Sequence, residues 1–238
     1  MSTCTTRLLS QEAVAEGTSA FHFEKPGGFV FKPGQAIDLI LPGLAGSDPQ
    51  AARHAFSLVS APFEDRLTIA TRMRDSAFKR ALGGLAVGEA VEIDGPFGSL
   101  TLHRDVARPA VFIAGGIGIT PFVSMLRHAA QEHLARRFVL VYSNRRPEDA
   151  AFLEELRGLA RRIEGFKLMA TMTRAVESQW AGRRGPVDAE LLKEVIADLS
   201  SPACYVAGPP AMVADMRRQL NQAGIDDEDI RSEDFFGY

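Results

Sequence analysis

Short runs rich in apolar and β-branched residues, set apart by turns, fill the first hundred residues. The runs FHFEKP (21–26), QAIDLIL (35–41), AFSLVSA (55–61), RLTIATRM (66–73) and AVEIDG (90–95) have the length and composition of strands. Gly27-Gly28, Pro33-Gly34, Pro42-Gly43, Gly83-Gly84 and Gly95-Pro96 punctuate them. Only one short helical piece interrupts the series, from Ser76 to Leu82. Strands so close together, with tight turns, predict an antiparallel barrel.

After HRDVARP (103–109) the period changes. AVFIA (110–114), RFVLVYS (137–143), FKLMATMT (166–173) and ACYVAG (203–208) are nearly unbroken apolar runs, the pattern of strands buried on both faces. Helical stretches alternate with them, over 121–134, 147–163, 188–199 and 209–223. Strand alternating with helix predicts a parallel sheet built from right-handed βαβ units, a Rossmann-like arrangement. The expected fold therefore has two domains, a barrel over residues 1–106 and an α/β domain over 107–238. Neither a repeat nor a low-complexity segment interrupts this plan.

Composition narrows the function classes. The chain has 238 residues, 46% of them hydrophobic, and a net charge of −3, which gives no electrostatic footprint for nucleic acid. Two cysteines, Cys4 and Cys204, neither form a disulfide scaffold nor supply four thiolates for an iron–sulfur cluster. No metal site is expected. The first 17 residues lack the apolar stretch of a signal peptide. The uncharged run 109–126 contains three glycines and Pro121, so it reads as buried strand, turn and helix rather than a membrane span. The expected location is cytoplasmic, away from membranes.

Candidate chemistry concentrates where the strands of the second half end. In FIAGGIGITPF (112–122), Gly115, Gly116 and Gly118 form a turn, Thr120 is placed to cap the next helix, and Pro121 suits its first position. Glycines let backbone N–H groups approach a phosphate, and a helix N-terminus favours negative charge, so a pyrophosphate fits here. The match to the dinucleotide fingerprint is imperfect, because Pro121 stands where its third glycine would be. Plain chain geometry accounts for the same glycines. The next strand ends VYSNRRPED, with Ser143, Asn144, Arg145 and Arg146 where an NAD site carries an acid. Hydroxyl and guanidinium groups suit a 2′-phosphate instead, so NADP(H) is expected over NAD(H). Arg174, after the third strand, is placed to converge on the same ligand; a solvated loop is the competing explanation for all of these.

Six segments occur in a telling order: FKPGQAIDLIL, HAFSLVSAP, GPFG, AGGIGITP, YVAGPPAMV and the terminal EDFFGY. Together they resemble the ferredoxin–NADP⁺ reductase family of flavoproteins, from about Gly17 to Tyr238. The resemblance implies a flavin-binding barrel and a pyridine-nucleotide domain whose cofactors meet between them. The cofactor would be FAD, with FMN as the alternative, and the stretch from Gly43 to Ala52 is a candidate adenine site. The activity implied is hydride transfer between nicotinamide and flavin, with single electrons exchanged with a separate carrier such as ferredoxin or flavodoxin. Within AFSL, Phe56 would lie flat against the isoalloxazine, Ser57 near its N5, and Leu58 would complete the motif. Taken alone, Phe56 reads as a core residue.

The carry-over has gaps. The family's Arg-x-aromatic-Ser pattern is not met: His54 stands two before Phe56, and the arginine is one earlier, at Arg53. Arg53, His54, or Arg72 and Arg74 in TRMRDSAF are the candidates for the cofactor phosphates, with Ser76 at the start of the short helix. YVAGPPAMV, with Gly208 and Pro209, resembles the nicotinamide-side loop, but Ala207 replaces the cysteine of many members. In EDFFGY, Phe235, Phe236 and above all Tyr238 are candidates to cover the flavin, and Glu233 to pass protons beside it. Two alternatives stay open: the reductase component of a multi-component oxygenase, and a flavin-free binding or regulatory module on the same fold.

Overall fold

The computed structural model describes residues 3–44, 51–176 and 180–236. The first half holds six strands: β1 (Cys4–Ala15), β2 (Thr18–Glu24), β3 (Ala36–Ile40), β4 (Arg53–Ser57), β5 (Arg66–Arg72) and β6 (Ala90–Phe97). They form one antiparallel sheet in the order β4-β3-β6-β1-β2-β5. The sheet curls like a barrel without closing. Leu58 N extends the β3–β4 pairing by donating to the Gln35 carbonyl, and at the seam Val59 N donates to the Thr68 carbonyl at 2.8 Å. Phe21, Phe23, Ile37, Leu39, Leu67 and Ile93 fill the interior. Helix α1 (Ala77–Gly83) closes it with Phe78 and Leu82, and Ser76 caps α1 by accepting from Lys79 N.

The second half is a parallel sheet of β7 (Ala110–Gly115), β8 (Phe138–Asn144), β9 (Phe166–Met172), β10 (Arg183–Arg184), β11 (Ala203–Gly208) and β12 (Ile230–Asp234), in the order β10-β9-β8-β7-β11-β12. Helices α2 (Thr120–Gln131) and α3 (Leu153–Arg162) contribute to the core on one face. Helices α4 (Ala189–Ile196) and α5 (Pro210–Gln222) contribute to the core on the other. All six residues of β7 and of β11 are buried, which explains their unbroken apolar runs. The α2 face of this core also takes in Ala20, Val59, Ala70 and Leu100 from the first half. No helix among the described residues is long and apolar enough to cross a membrane.

Several expectations shift in detail. Strand β1 was not foreseen, because nearly all of its residues are at least partly exposed and alternation is confined to Thr5–Leu9. Strand β12 was missed too: IRSED buries only Ile230. The 147–163 helix is split, with a single 3₁₀ turn at Pro147–Asp149 and α3 beginning at Leu153. Phe152 between them sits at φ 61°, a left-handed backbone that ends one helix before the next starts.

Candidate functional site

Strands β7 and β11 are neighbours, and the chain winds away from β7 through β8 and β9 before returning on its other side at β11. Such a reversal opens a crevice at the carboxyl ends of the strands. The two loops that wall it touch backbone to backbone. A Cβ at Gly118 would sit 2.4 Å from the Ala207 carbonyl oxygen, and one at Gly115 would meet Met212 Sδ. Gly116 lies at φ +55°, the left-handed region that glycine tolerates. Gly118 is therefore demanded by the packing of this loop on the β11 backbone, whatever lies in the crevice, whereas a side chain at Gly115 would have to displace the Met212 side chain. Gly118→Ala is expected to cost about 1–3 kcal/mol through overpacking against fixed backbone. A urea melt unchanged from wild type would show that the loops part easily.

Thr120 does not cap as expected. It is buried at the start of α2, and its hydroxyl donates to the Ile117 carbonyl at 3.1 Å. Pro121 stands one place later than expected, second in the helix after Thr120. Gly208 and Pro209 lie directly opposite, where Pro209 precedes α5.

The expected phosphate cluster separates into two groups. Arg146 is held by Asp149 at 3.0 Å and Glu16 at 3.1 Å, and both acids hold its pKa above the ordinary arginine value. Arg145 and Arg174 are exposed, and neither has an ion-pair partner among the described residues. The Arg174 N–H donates to the Arg145 carbonyl at 2.7 Å, so the two backbones run side by side. Ser143 is half-buried beside them, and Asn144 is buried with neither amide atom in hydrogen-bonding geometry with a described partner.

Beside this crevice a cleft of about 580 Å³ runs between the two halves, with Phe56, Ser57, Ile117, Glu233 and Phe235 among its walls. Residues 176 apart in sequence meet here: Ser57 Oγ donates to Glu233 Oε1 at 3.2 Å. Strand β12 places Glu233 by pairing it with Ala207 of β11. Burial pushes the Glu233 carboxyl above its ordinary pKa, and the Ser57 hydrogen bond only partly opposes this. Phe235 is anchored by its N–H to the Gly208 carbonyl at 2.9 Å, whereas Phe236 is 81% exposed. Leu58, fully buried, packs into the barrel core rather than the cleft. Tyr238, and most of the stretch from Gly43 to Ala52, lie outside the described residues.

At the other end of the cleft, Arg53 is turned onto two acids, Asp38 at 2.7 Å and Asp94 at 2.6 Å. Arg72 is likewise paired, with Asp149 at 3.0 Å. Arg74 lines the cleft without an ion-pair partner among the described residues, and Ser76 lies exposed next to it. His54 packs on Phe78 with ring centroids 4.2 Å apart; burial, then the Lys79 charge, lowers its pKa.

Sequence reasoning missed Lys79 in this cleft. Its ammonium stands 4.6 Å from the Phe56 ring centroid. It also missed Asp149, the acid shared by Arg72 and Arg146. Among the described residues no cluster of three or more His, Cys, Asp or Glu side chains could hold a metal ion.

A parallel sheet with a crevice at its reversal, joined across a cleft to a curled antiparallel sheet, defines a two-part dinucleotide-type oxidoreductase fold. Comparison with known proteins agrees. Residues 112–218 match the oxidoreductase NAD-binding domain. Ferredoxin–NADP reductase B of Sorangium cellulosum is 32% identical over 220 residues, covering 89% of this chain and 88% of that protein. The chain therefore belongs to the ferredoxin–NADP reductase family. The propane 2-monooxygenase reductase component of Mycolicibacterium smegmatis is 31% identical over 194 residues, 79% of this chain and 54% of that protein. The chain thus spans about half the length of such oxygenase reductases. A cytochrome P450 reductase of Amycolatopsis superposes with a TM-score of 0.85 at 25% identity, over 98% of this chain and 70% of that one.

Proposed function

We propose that the chain is an FAD-dependent NAD(P)H oxidoreductase, divided into a flavin half over residues 1–106 and a nucleotide half over 107–238. The observation that carries this reading is the cleft in which Phe56 and Ser57 of the first half face Glu233 and Phe235 of the second. An aromatic wall suits a planar ring, and a buried hydroxyl bonded to a carboxyl suits a ring nitrogen that gains and loses hydrogen. When bound, the flavin converts a hydride into single electrons, which a separate carrier such as ferredoxin or flavodoxin takes up.

The chain's own residues bind, orient and exclude water. Phe56 and Ile117 wall the ring slot, and Phe235 closes its edge from the second half. Ser57 and Glu233 hold a hydrogen-bonded pair at the reacting side. Arg74, His54 and Ser76 stand where phosphates of the flavin nucleotide would be held, since Arg53 is already neutralised by Asp38 and Asp94. Tyr238 is proposed as a cover for the nicotinamide side. Gly116, Gly208 and Pro209 shape the crevice for the nicotinamide nucleotide, and Arg145, Arg174 and Ser143 its 2′-phosphate. NADP(H) is then preferred over NAD(H), and the cytoplasm is the proposed location.

The test is anaerobic titration of the yellow protein. NADPH should bleach the flavin band at lower concentration than NADH. Exposed charges are screened, so Arg145→Ala with Arg174→Ala is expected to narrow that preference by about tenfold for the pair. Colourless protein that recovers no absorbance with added FAD would sink the flavoenzyme reading. An undiminished preference would remove the two arginines from the site. The half-length match to oxygenase reductases favours a second reading, in which the acceptor is an oxygenase component; a panel of purified acceptors separates the two.

A further inference from the structure

Lys79 lies where a lysine is least comfortable. Its side chain is largely withdrawn from water between β5, α1 and the Phe56 ring, yet no carboxylate pairs with it among the described residues. Nζ donates to Thr71 Oγ1 at 2.5 Å and stands 4.6 Å from the centroid of Phe56 and 6.0 Å from that of Phe78. One hydroxyl and a π face leave an ammonium under-satisfied, since it carries three donors. Asp38 and Asp94 are both bound to Arg53, and no ion pair among the described residues joins Lys79 to Asp75, Glu233 or Asp234, the acids that line the cleft with it. His54, whose pKa the Lys79 charge helps to lower, is itself cationic when charged and so offers no compensation.

Burial alone pushes Lys79 down to about 8. The group is therefore still mostly protonated at pH 7, and its positive charge stands in the cleft without an ion-pair partner among the described residues. A fixed charge in a partly desolvated site acts more strongly on its surroundings than one in water.

We propose that Lys79 is a positioning residue for the ring lodged against Phe56, holding its electron-rich reduced form more tightly than its oxidised form. The inference rests on the flavin reading above and adds to it a tuning group outside the Ser57–Glu233 pair. The charge, not the packing of the stem, carries the effect. Arginine in the same slot should therefore preserve it, and glutamine, which keeps a donor for Thr71, should not.

The experiment poises the holoprotein with redox dyes at pH 7 and reads the midpoint potential of wild type, Lys79→Gln and Lys79→Arg. Lys79→Gln should hold reduced flavin about tenfold more weakly relative to oxidised flavin, a potential about 30 mV lower for a two-electron couple. Lys79→Arg should stay at the wild-type value. If Lys79→Gln loses its flavin on purification, separate titrations with oxidised and photoreduced flavin give the same ratio. A Lys79→Gln potential equal to wild type overturns the proposal, as does an equal shift in Lys79→Arg, which would mark a packing effect. A wild-type protein that binds no flavin overturns the underlying functional reading instead, so the two failures are told apart.

Discussion

Replacing Ser57 with alanine is expected to slow reduction of the protein by NADPH by roughly 10²–10³-fold, the usual loss when one preorganised hydrogen-bonding group is removed from a reacting centre. The wild-type hydroxyl is buried, fixed at the end of β4, and donates to Glu233 at 3.2 Å. Its removal takes away a group beside the ring slot and also the side chain that, among the described residues, donates to the Glu233 carboxylate. Burial already raises the Glu233 pKa, and the Ser57 bond is what pulls it back. In Ser57→Ala that restraint is gone, so Glu233 should keep its proton to a higher pH. The acid limb of the pH–rate profile should then move upward. Stopped-flow absorbance at saturating NADPH measures the rate, and flavin content measured on the same sample shows that binding is intact. A rate within twofold of wild type would remove the pair from the reacting centre. Cysteine at position 57 offers only a weak donor and should recover little.

Much of this arrangement could be read from the chain because the sheet strands are strongly determined. AVFIA and ACYVAG are buried from end to end, and no exposed residue blurs their type. β12 escaped because its order comes from a partner distant in sequence, with Ile230–Asp234 lying along β11, and β1 escaped because most of its side chains are exposed although Leu8–Ala15 pair with the adjacent β2. Their own side chains carry almost no period. The glycines of AGGIGITP were legible as a special turn, but the reason for two of them was not. Only the structure shows that Gly115 and Gly118 make room for Met212 and the Ala207 carbonyl. Phe56, Ser57 and Glu233 could be brought together only through resemblance to a family, since nothing local links residues 176 apart. Lys79 carried no signal of its own, because one lysine beside a phenylalanine on a seven-residue helix reads as a solvated turn. Its burial depends on β5 and the Phe56 ring, which are contributed by other strands.

Asp149→Asn is expected to loosen the junction between the two halves. The wild-type carboxylate, 6% exposed, accepts from Arg72 of β5 at 3.0 Å and from Arg146 at 3.0 and 3.2 Å. Arg146 reaches on to Glu16 at 3.1 Å, and the Glu16 N–H donates to the Glu148 carbonyl at 2.8 Å. One buried acid thus ties the loop after β8 to β5, and Arg146 carries the link on to Glu16 in the turn between β1 and β2. An amide in its place leaves two guanidinium groups adjacent with no shared counter-charge. Removing one partner of a fully buried pair costs about 3–5 kcal/mol. Arg72 is a quarter exposed and Arg146 44% exposed, so screening by water lowers the expectation to about 1–3 kcal/mol. The pH dependence has a definite sign. Burial pushes the Asp149 pKa up, but the Arg146 hydrogen bond and the charges of Arg146 and Arg72 outweigh it, holding the folded pKa below the ordinary value of 3.8. A depressed carboxylate pKa stabilises the fold above the unfolded pKa, and that stability is lost as pH falls through the folded one. The gap between wild type and Asp149→Asn should therefore be full at pH 7 and shrink below about pH 4. Urea unfolding at both pH values measures it, and a gap that persists unchanged in acid would mean that the clamp is not ionic. The same loop carries Arg145, so the freed Arg146 should also alter the NADPH-to-NADH preference; a variant that loses stability but keeps that preference would show that the clamp acts on the junction alone.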